Sequence, residues 1–204
     1  MVIKFLANRS TIIFGSSGAG KTEFMLSVIR QKLIEPWPKN VFYMYGVDQP
    51  FMTTWNETES TPIKFIKGLN FDEIDTLEPS VLIMDDLLLS NNQNVAEIFT
   101  AGSHHRKIST FFMTQSLFPN CPIFRTMSAN SSYFVLFHSQ RHFRQINTLA
   151  HQIFVGQEVN RIINAYKRVA KRQRGFIVLS FDPELPDELT VVTDWFEVCP
   201  SVYL

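Results

Sequence analysis

Two cysteines, Cys121 and Cys199, are too few and too far apart for a disulfide framework or a cysteine-based metal site, so a reducing compartment is the natural setting. Long hydrophobic runs are missing too. The opening stretch 1–9 is too short an apolar run for a secretory signal and nothing later reaches membrane-span length, so a soluble intracellular chain with no membrane partner is expected. Net charge is absent, because 19 basic and 19 acidic side chains cancel. That argues against holding nucleic acid by bulk charge and leaves only local segregation for such a surface. There is no internal repeat, low-complexity tract or linker, and 204 residues suit one α/β domain with a substantial core.

Short apolar runs rich in Val, Ile and Phe alternate with helical or polar stretches, the pattern of a mainly parallel central sheet flanked by helices. Strands are expected near 10–14, 41–45, 81–84, 109–114, 133–138 and 176–181, with a last one around 190–198. Helices are expected over 21–34, 95–101, 141–152 and 157–173, with an exposed loop tip at 91–94. From about 156 onward the chain reads as a basic helix followed by terminal strands.

Between the first strand and the first helix stand Gly15, Ser16, Ser17, Gly18, Ala19, Gly20, Lys21 and Thr22, which satisfy the phosphate-binding pattern G-x-x-x-x-G-K-[ST]. The glycines let successive N–H groups converge on an anion, and the following helix N-terminus adds its dipole. Lys21 supplies a point charge to the β- and γ-phosphates, Thr22 a hydroxyl for Mg²⁺, and Glu23 completes the nucleotide-contacting run. ATP with Mg²⁺ is the ligand this implies.

Farther along, Val81-Leu82-Ile83-Met84 run into Asp85 and Asp86, two carboxylates at the carboxyl end of a buried strand. Asp85 suits the metal shell opposite Thr22, and Asp86 suits orienting the attacking water or accepting its proton. Capping of a following helix is the plainer alternative for both. The strand ending at Thr114 delivers Gln115, whose amide could bond a γ-phosphate oxygen and the lytic water, or simply start a turn.

Together the runs 15–22, 81–86 and 102–115, and more loosely 128–139, resemble the FtsK-HerA superfamily of P-loop motor ATPases, within it the poxvirus-type genome-packaging ATPases of large DNA viruses and virus-like transposons. The resemblance implies a RecA-like core with an additional strand, ATP hydrolysis and a ring homo-oligomer. It further implies double-stranded DNA as the substrate moved, a capsid or portal partner, and a virus assembly site in a host cell. Relatives carry arginine and histidine just before the Gln-ended strand. Here the order is His104-His105-Arg106, and Asp86 stands where many relatives have Glu, one methylene shorter.

By the same resemblance a neighbouring subunit supplies an arginine to the transition state, with Arg106 the first candidate and Arg125 and Arg141 behind it. His138 and His142 lack further ligands for a zinc site and read as packing or exposed side chains. Arg161, Lys167, Arg168, Lys171, Arg172 and Arg174 concentrate positive charge opposite an apolar stripe. That face suits a DNA backbone, a subunit contact or plain solvation. The leading expectation is an ATP-driven DNA translocase that packages a genome. Another motor of the superfamily and an ATP-switched assembly factor that moves no DNA are the alternatives.

Overall fold

The computed structural model describes residues 3–74, 77–87, 95, 97–99, 107–118, 122–197 and 200–203. The loop tip expected at 91–94, the segment with His104, His105 and Arg106, and both cysteines lie outside the described residues. So does part of the helix expected over 95–101, although Val95, Ile98 and Phe99 are buried in the core.

A two-residue strand β1 (Phe5–Leu6) leads into β2 (Ser10–Phe14) and helix α1 (Lys21–Arg30). Then come β3 (Ile34–Glu35), β4 (Asn40–Tyr45), α2 (Phe51–Thr58), β5 (Lys64–Lys67), β6 (Ser80–Asp85) and β7 (Ile108–Thr114). The second half runs α3 (Pro122–Ala129), β8 (Tyr133–Phe137), α4 (Phe143–Ile153), α5 (Gln157–Val169), β9 (Phe176–Ser180), β10 (Val191–Thr193) and β11 (Ser201–Val202).

Among the described residues nine strands form one sheet in the order β11-β10-β9-β8-β2-β7-β6-β4-β5. The run from β8 to β5 is parallel throughout, and β9, β10 and β11 extend it antiparallel. Every residue of β2, β6, β7 and β8 is buried. That is why these strands read as mostly apolar runs, broken by small buried hydroxyls such as Ser10, Thr11, Ser109 and Thr110, rather than as alternating ones. Alternate side chains feed two cores. Ile12, Phe14, Leu82, Met84 and Phe112 face α3, α4 and α5 through Phe124, Ile146 and Tyr166. Ile13, Tyr43, Ile83, Phe111 and Val135 face α1 through Phe24, Met25 and Val28.

β7 lies between β2 and β6, the additional-strand arrangement expected from the motif order. Register then fixes the site. Phe14 pairs with Thr114 and Asp85 with Met113, so Gly15, Asp86 and Gln115 leave the sheet along one edge.

Two helices are shorter than their periodicity suggested. α1 stops at Arg30, before Leu33, Ile34 and the prolines at 36 and 38, because Lys32 adopts φ 50. With it, Lys32 N–H donates to Ile29 O at 3.1 Å and Leu33 N–H to Val28 O at 2.9 Å. These paired bonds satisfy the last carbonyls of the helix and free Ile34 for a strand. α5 ends at Val169 rather than near 173. Arg174 then takes φ 56, and Gly175 packs so close that a Cβ would sit 2.0 Å from the Val169 carbonyl oxygen. The chain reverses there into β9. Strands β1, β3 and β5 and helices α2 and α3 carried too few periodic residues to be read from sequence.

Candidate nucleotide site

At the carboxyl edge of the sheet an open cleft of about 560 Å³ gathers Gly18, Gly20, Lys21, Thr22, Glu23, Asp85, Asp86 and Gln115. Residues widely separated in sequence thus converge on one space, as the motifs required. Gly20 holds φ 106 and Gly18 φ 74, the left-handed region that turns successive N–H groups toward an anion. Gly15 is fixed by crowding instead. A Cβ there would lie 2.8 Å from the Cβ of Phe137.

Lys21 is buried, and its ammonium donates to the carbonyls of Gly15 at 2.8 Å and Ser16 at 3.2 Å. Ala19 N–H donates to the same Ser16 oxygen at 3.2 Å, closing the inner turn of the loop. Burial lowers the pKa of Lys21, and the charges of Asp86 and Asp85 oppose that shift only in part. A bound triphosphate brings further negative charge and pushes the value back up. In the alkaline range about the lowered value, binding is therefore expected to take up a proton. Calorimetric binding enthalpies there are expected to rise with the ionisation enthalpy of the buffer, and a zero slope would contradict the contact.

Asp85, buried at the end of β6, accepts hydrogen bonds from Tyr43 Oη at 2.6 Å and Gln49 Nε2 at 2.7 Å, both on Oδ2. No side-chain donor among the described residues reaches Oδ1, which leaves it for a ligand. Burial and the Asp85 charge push the Tyr43 hydroxyl far above its usual range, so it stays a donor, and its hydroxyl also interacts with that of Thr22. Thr22 and Asp85 are thereby linked through one tyrosine, a hard-oxygen pair that could hold a divalent cation.

Asp86 stands exposed with φ 48, a conformation aspartate tolerates better than most side chains. Its N–H donates to Met113 O at 3.2 Å, and its carboxylate accepts a bond from Gln115 Nε2. Asp86 and Gln115 therefore face the cleft as a touching pair. The start of the helix that Asp85 or Asp86 was expected to cap lies outside the described residues.

Sequence reasoning missed three contributors. Tyr43 and Gln49 reach Asp85 because β4 lies beside β6. Arg174, read from sequence as part of a basic helix face, lines the cleft with its Cδ 3.1 Å from where a Gly20 Cβ would be. The position of Arg174 depends on β9 pairing with β8, a contact no local pattern announces.

The basic face itself is broken up. Arg161 donates to the Tyr203 carbonyl, Arg172 pairs with Asp194, and Lys167 and Arg168 lie over the rings of Phe143 and Tyr203 at 5.8 and 5.9 Å. The expected single cationic stripe of six residues is thus a correction: early closure of α5 sends its last three elsewhere. Arg125 and Arg141 are exposed and do not line the cleft. His138 packs against Tyr166 at 5.2 Å and His142 against Phe14 at 5.0 Å.

No protein-family model matches the sequence, and no curated protein matches it either. Solved structures do. The DNA-packaging ATPase B204 from Sulfolobus turreted icosahedral virus superposes with TM-score 0.58 at 12% identity, over 97% of this chain and 98% of that one. The genome packaging NTPase from Sulfolobus turreted icosahedral virus 2, in complex with AMPPCP, gives 0.54 at 11% identity, over 97% of each chain. In complex with sulfate, the same protein gives 0.52 at 11% identity, over 96% of each. At such identities the fold is what is shared: this chain has the α/β fold of the P-loop NTPases.

Proposed function

We propose that this chain is an ATP hydrolase of the FtsK-HerA type that assembles as a ring and drives double-stranded DNA into a viral or virus-like capsid. The observation that carries the reading is the convergence of Lys21, Thr22, Asp85, Asp86 and Gln115 on one cleft. Further support comes from the likeness to a DNA-packaging ATPase along nearly the whole of both chains.

Lys21 would leave the Gly15 and Ser16 carbonyls to meet the β- and γ-phosphates, with the loop N–H groups around Gly18 and Gly20 holding the remaining oxygens. Bound between Thr22 and Asp85, Mg²⁺ would screen phosphate charge during attack. Asp86 would accept the proton of the attacking water, and Gln115 would orient that water against phosphate. The arginine that meets the transition state would come from a neighbour, with Arg106 first and the exposed Arg125 and Arg141 next. A capsid or portal protein would dock the ring at the assembly site.

ATP turnover is expected to rise when duplex DNA is added to the assembled protein. Mixing inactive Lys21→Ala with inactive Arg106→Ala subunits should restore part of the activity, since some interfaces then pair an intact loop with an intact finger. Recovery only when Arg125→Ala or Arg141→Ala takes the second place would move the finger. The internal engagement of Arg161 and Arg172 favours a second reading, an ATP-switched assembly factor without translocation. Turnover indifferent to DNA at every salt concentration would select it.

A further inference from the structure

A second cavity, of about 250 Å³, adjoins the phosphate cleft, and Arg174 lines both. Its walls are two turns. One is the reversal after α5, with Arg172, Arg174 and Phe176; the other follows β10, with Asp194, Phe196 and Glu197. The turns are tied by the Arg172–Asp194 ion pair and by an edge contact of Phe176 and Phe196 at 5.8 Å. Both rings are half-buried and pack on Phe24, two residues beyond Thr22, at 5.0 and 5.1 Å.

We infer that this cavity seats the purine base of the nucleotide whose phosphates lie on the P-loop; the inference rests on the nucleotide-binding reading above. Sheet order supplies the direction. β2 lies between β7 and β8, and the hydrolytic groups Asp85, Asp86 and Gln115 all stand on the β6–β7 flank. That flank takes the γ-phosphate end, so the other end of the nucleotide points across Gly20 toward β8 and β9. There the chain offers flat apolar surface and polar edges. Phe176 and Phe196 give stacking surface, and the Arg174 guanidinium, with no ion pair among the described residues, gives a cationic plane. The Glu197 carboxylate, likewise unpaired among the described residues, accepts an exocyclic amino group. Trp195, which also lines the cavity, is fully buried and its indole N–H has no partner among the described residues.

The test compares ATP, ITP and inorganic tripolyphosphate by equilibrium calorimetry on wild type, Phe196→Leu and Glu197→Gln. Leucine keeps apolar bulk where alanine could loosen the turn. Base stacking predicts about a tenfold loss of ATP affinity in Phe196→Leu with tripolyphosphate affinity unchanged. Glu197→Gln should narrow the preference for ATP over ITP, because an amide can donate to the carbonyl that replaces the amino group. Unchanged ATP affinity in Phe196→Leu, with tripolyphosphate still bound, would overturn the base seat and leave the P-loop reading standing. Failure of wild type to bind either ATP or tripolyphosphate would overturn both.

Discussion

Lys21→Ala should cut ATP turnover by about 10²- to 10³-fold or more, the scale seen when one preorganised charge-stabilising donor is removed. The folded state should survive. Among the described residues the ammonium bonds the Gly15 and Ser16 carbonyls, both at the open edge of the sheet, and burial already disfavours its charged form. Losing it therefore removes two hydrogen bonds and relieves the desolvation of a buried ammonium, effects of opposite sign. Thermal denaturation and nucleotide titration on the same sample separate the outcomes. Wild-type affinity with wild-type turnover would remove the P-loop assignment, and a collapsed melting temperature would give Lys21 a structural role instead.

Asp86→Asn should leave nucleotide affinity within a few-fold of wild type while kcat falls about 10²- to 10⁴-fold, the usual contribution of a positioned base. Asparagine is the informative replacement because it tolerates the left-handed backbone at φ 48 as aspartate does. Its amide can also keep a hydrogen bond with Gln115, so the pair persists while the proton acceptor is lost. Asp85→Asn should show the opposite split, with weaker Mg²⁺-dependent binding as its first symptom. Unreduced kcat in Asp86→Asn would hand the water-activating role to another side chain.

The sequence made legible what local chemistry dictates. Lys21 and the loop glycines occupy consecutive positions, so their convergence needs only a strand before them and a helix after. Asp85 was visible because four apolar residues running into a carboxylate mark the end of a buried parallel strand. The sheet order then made Gln115 meet Asp86. Tyr43, Gln49 and Arg174 were invisible for the converse reason: the first two reach Asp85, and the third the cleft, through strand pairings distant in sequence. Arg174 also shows where periodicity misleads. Its spacing from Lys167 and Lys171 continues a helical face, but the backbone has already turned at Val169, and a left-handed residue next to a crowded glycine sends the side chain toward Gly20 and the cleft. Pattern reads spacing along an element and is blind to the point at which the element closes.

The bond between Gln115 and Asp86 has a mechanical consequence. The Gln115 amide holds Asp86 through one N–H and has a second to give, so a γ-phosphate oxygen that took it would draw the amide, and Asp86 with it, toward the ligand. Two residues on, Leu117 N–H donates to Gln145 Oε1 on α4 at 3.1 Å, and Thr114 Oγ1 bonds the Ser116 carbonyl at 3.1 Å. The hinge between strand and helix is therefore only two residues long, with little slack to absorb a shift. On the proposed function, a displacement of Gln115 would be delivered to α4 as a pull, once when the γ-phosphate arrives and in reverse when it leaves. Hydrogen exchange at the Leu117 amide should change between ATP- and ADP-bound protein, and an amide indifferent to nucleotide would mean that the stroke, if the ring makes one, starts elsewhere.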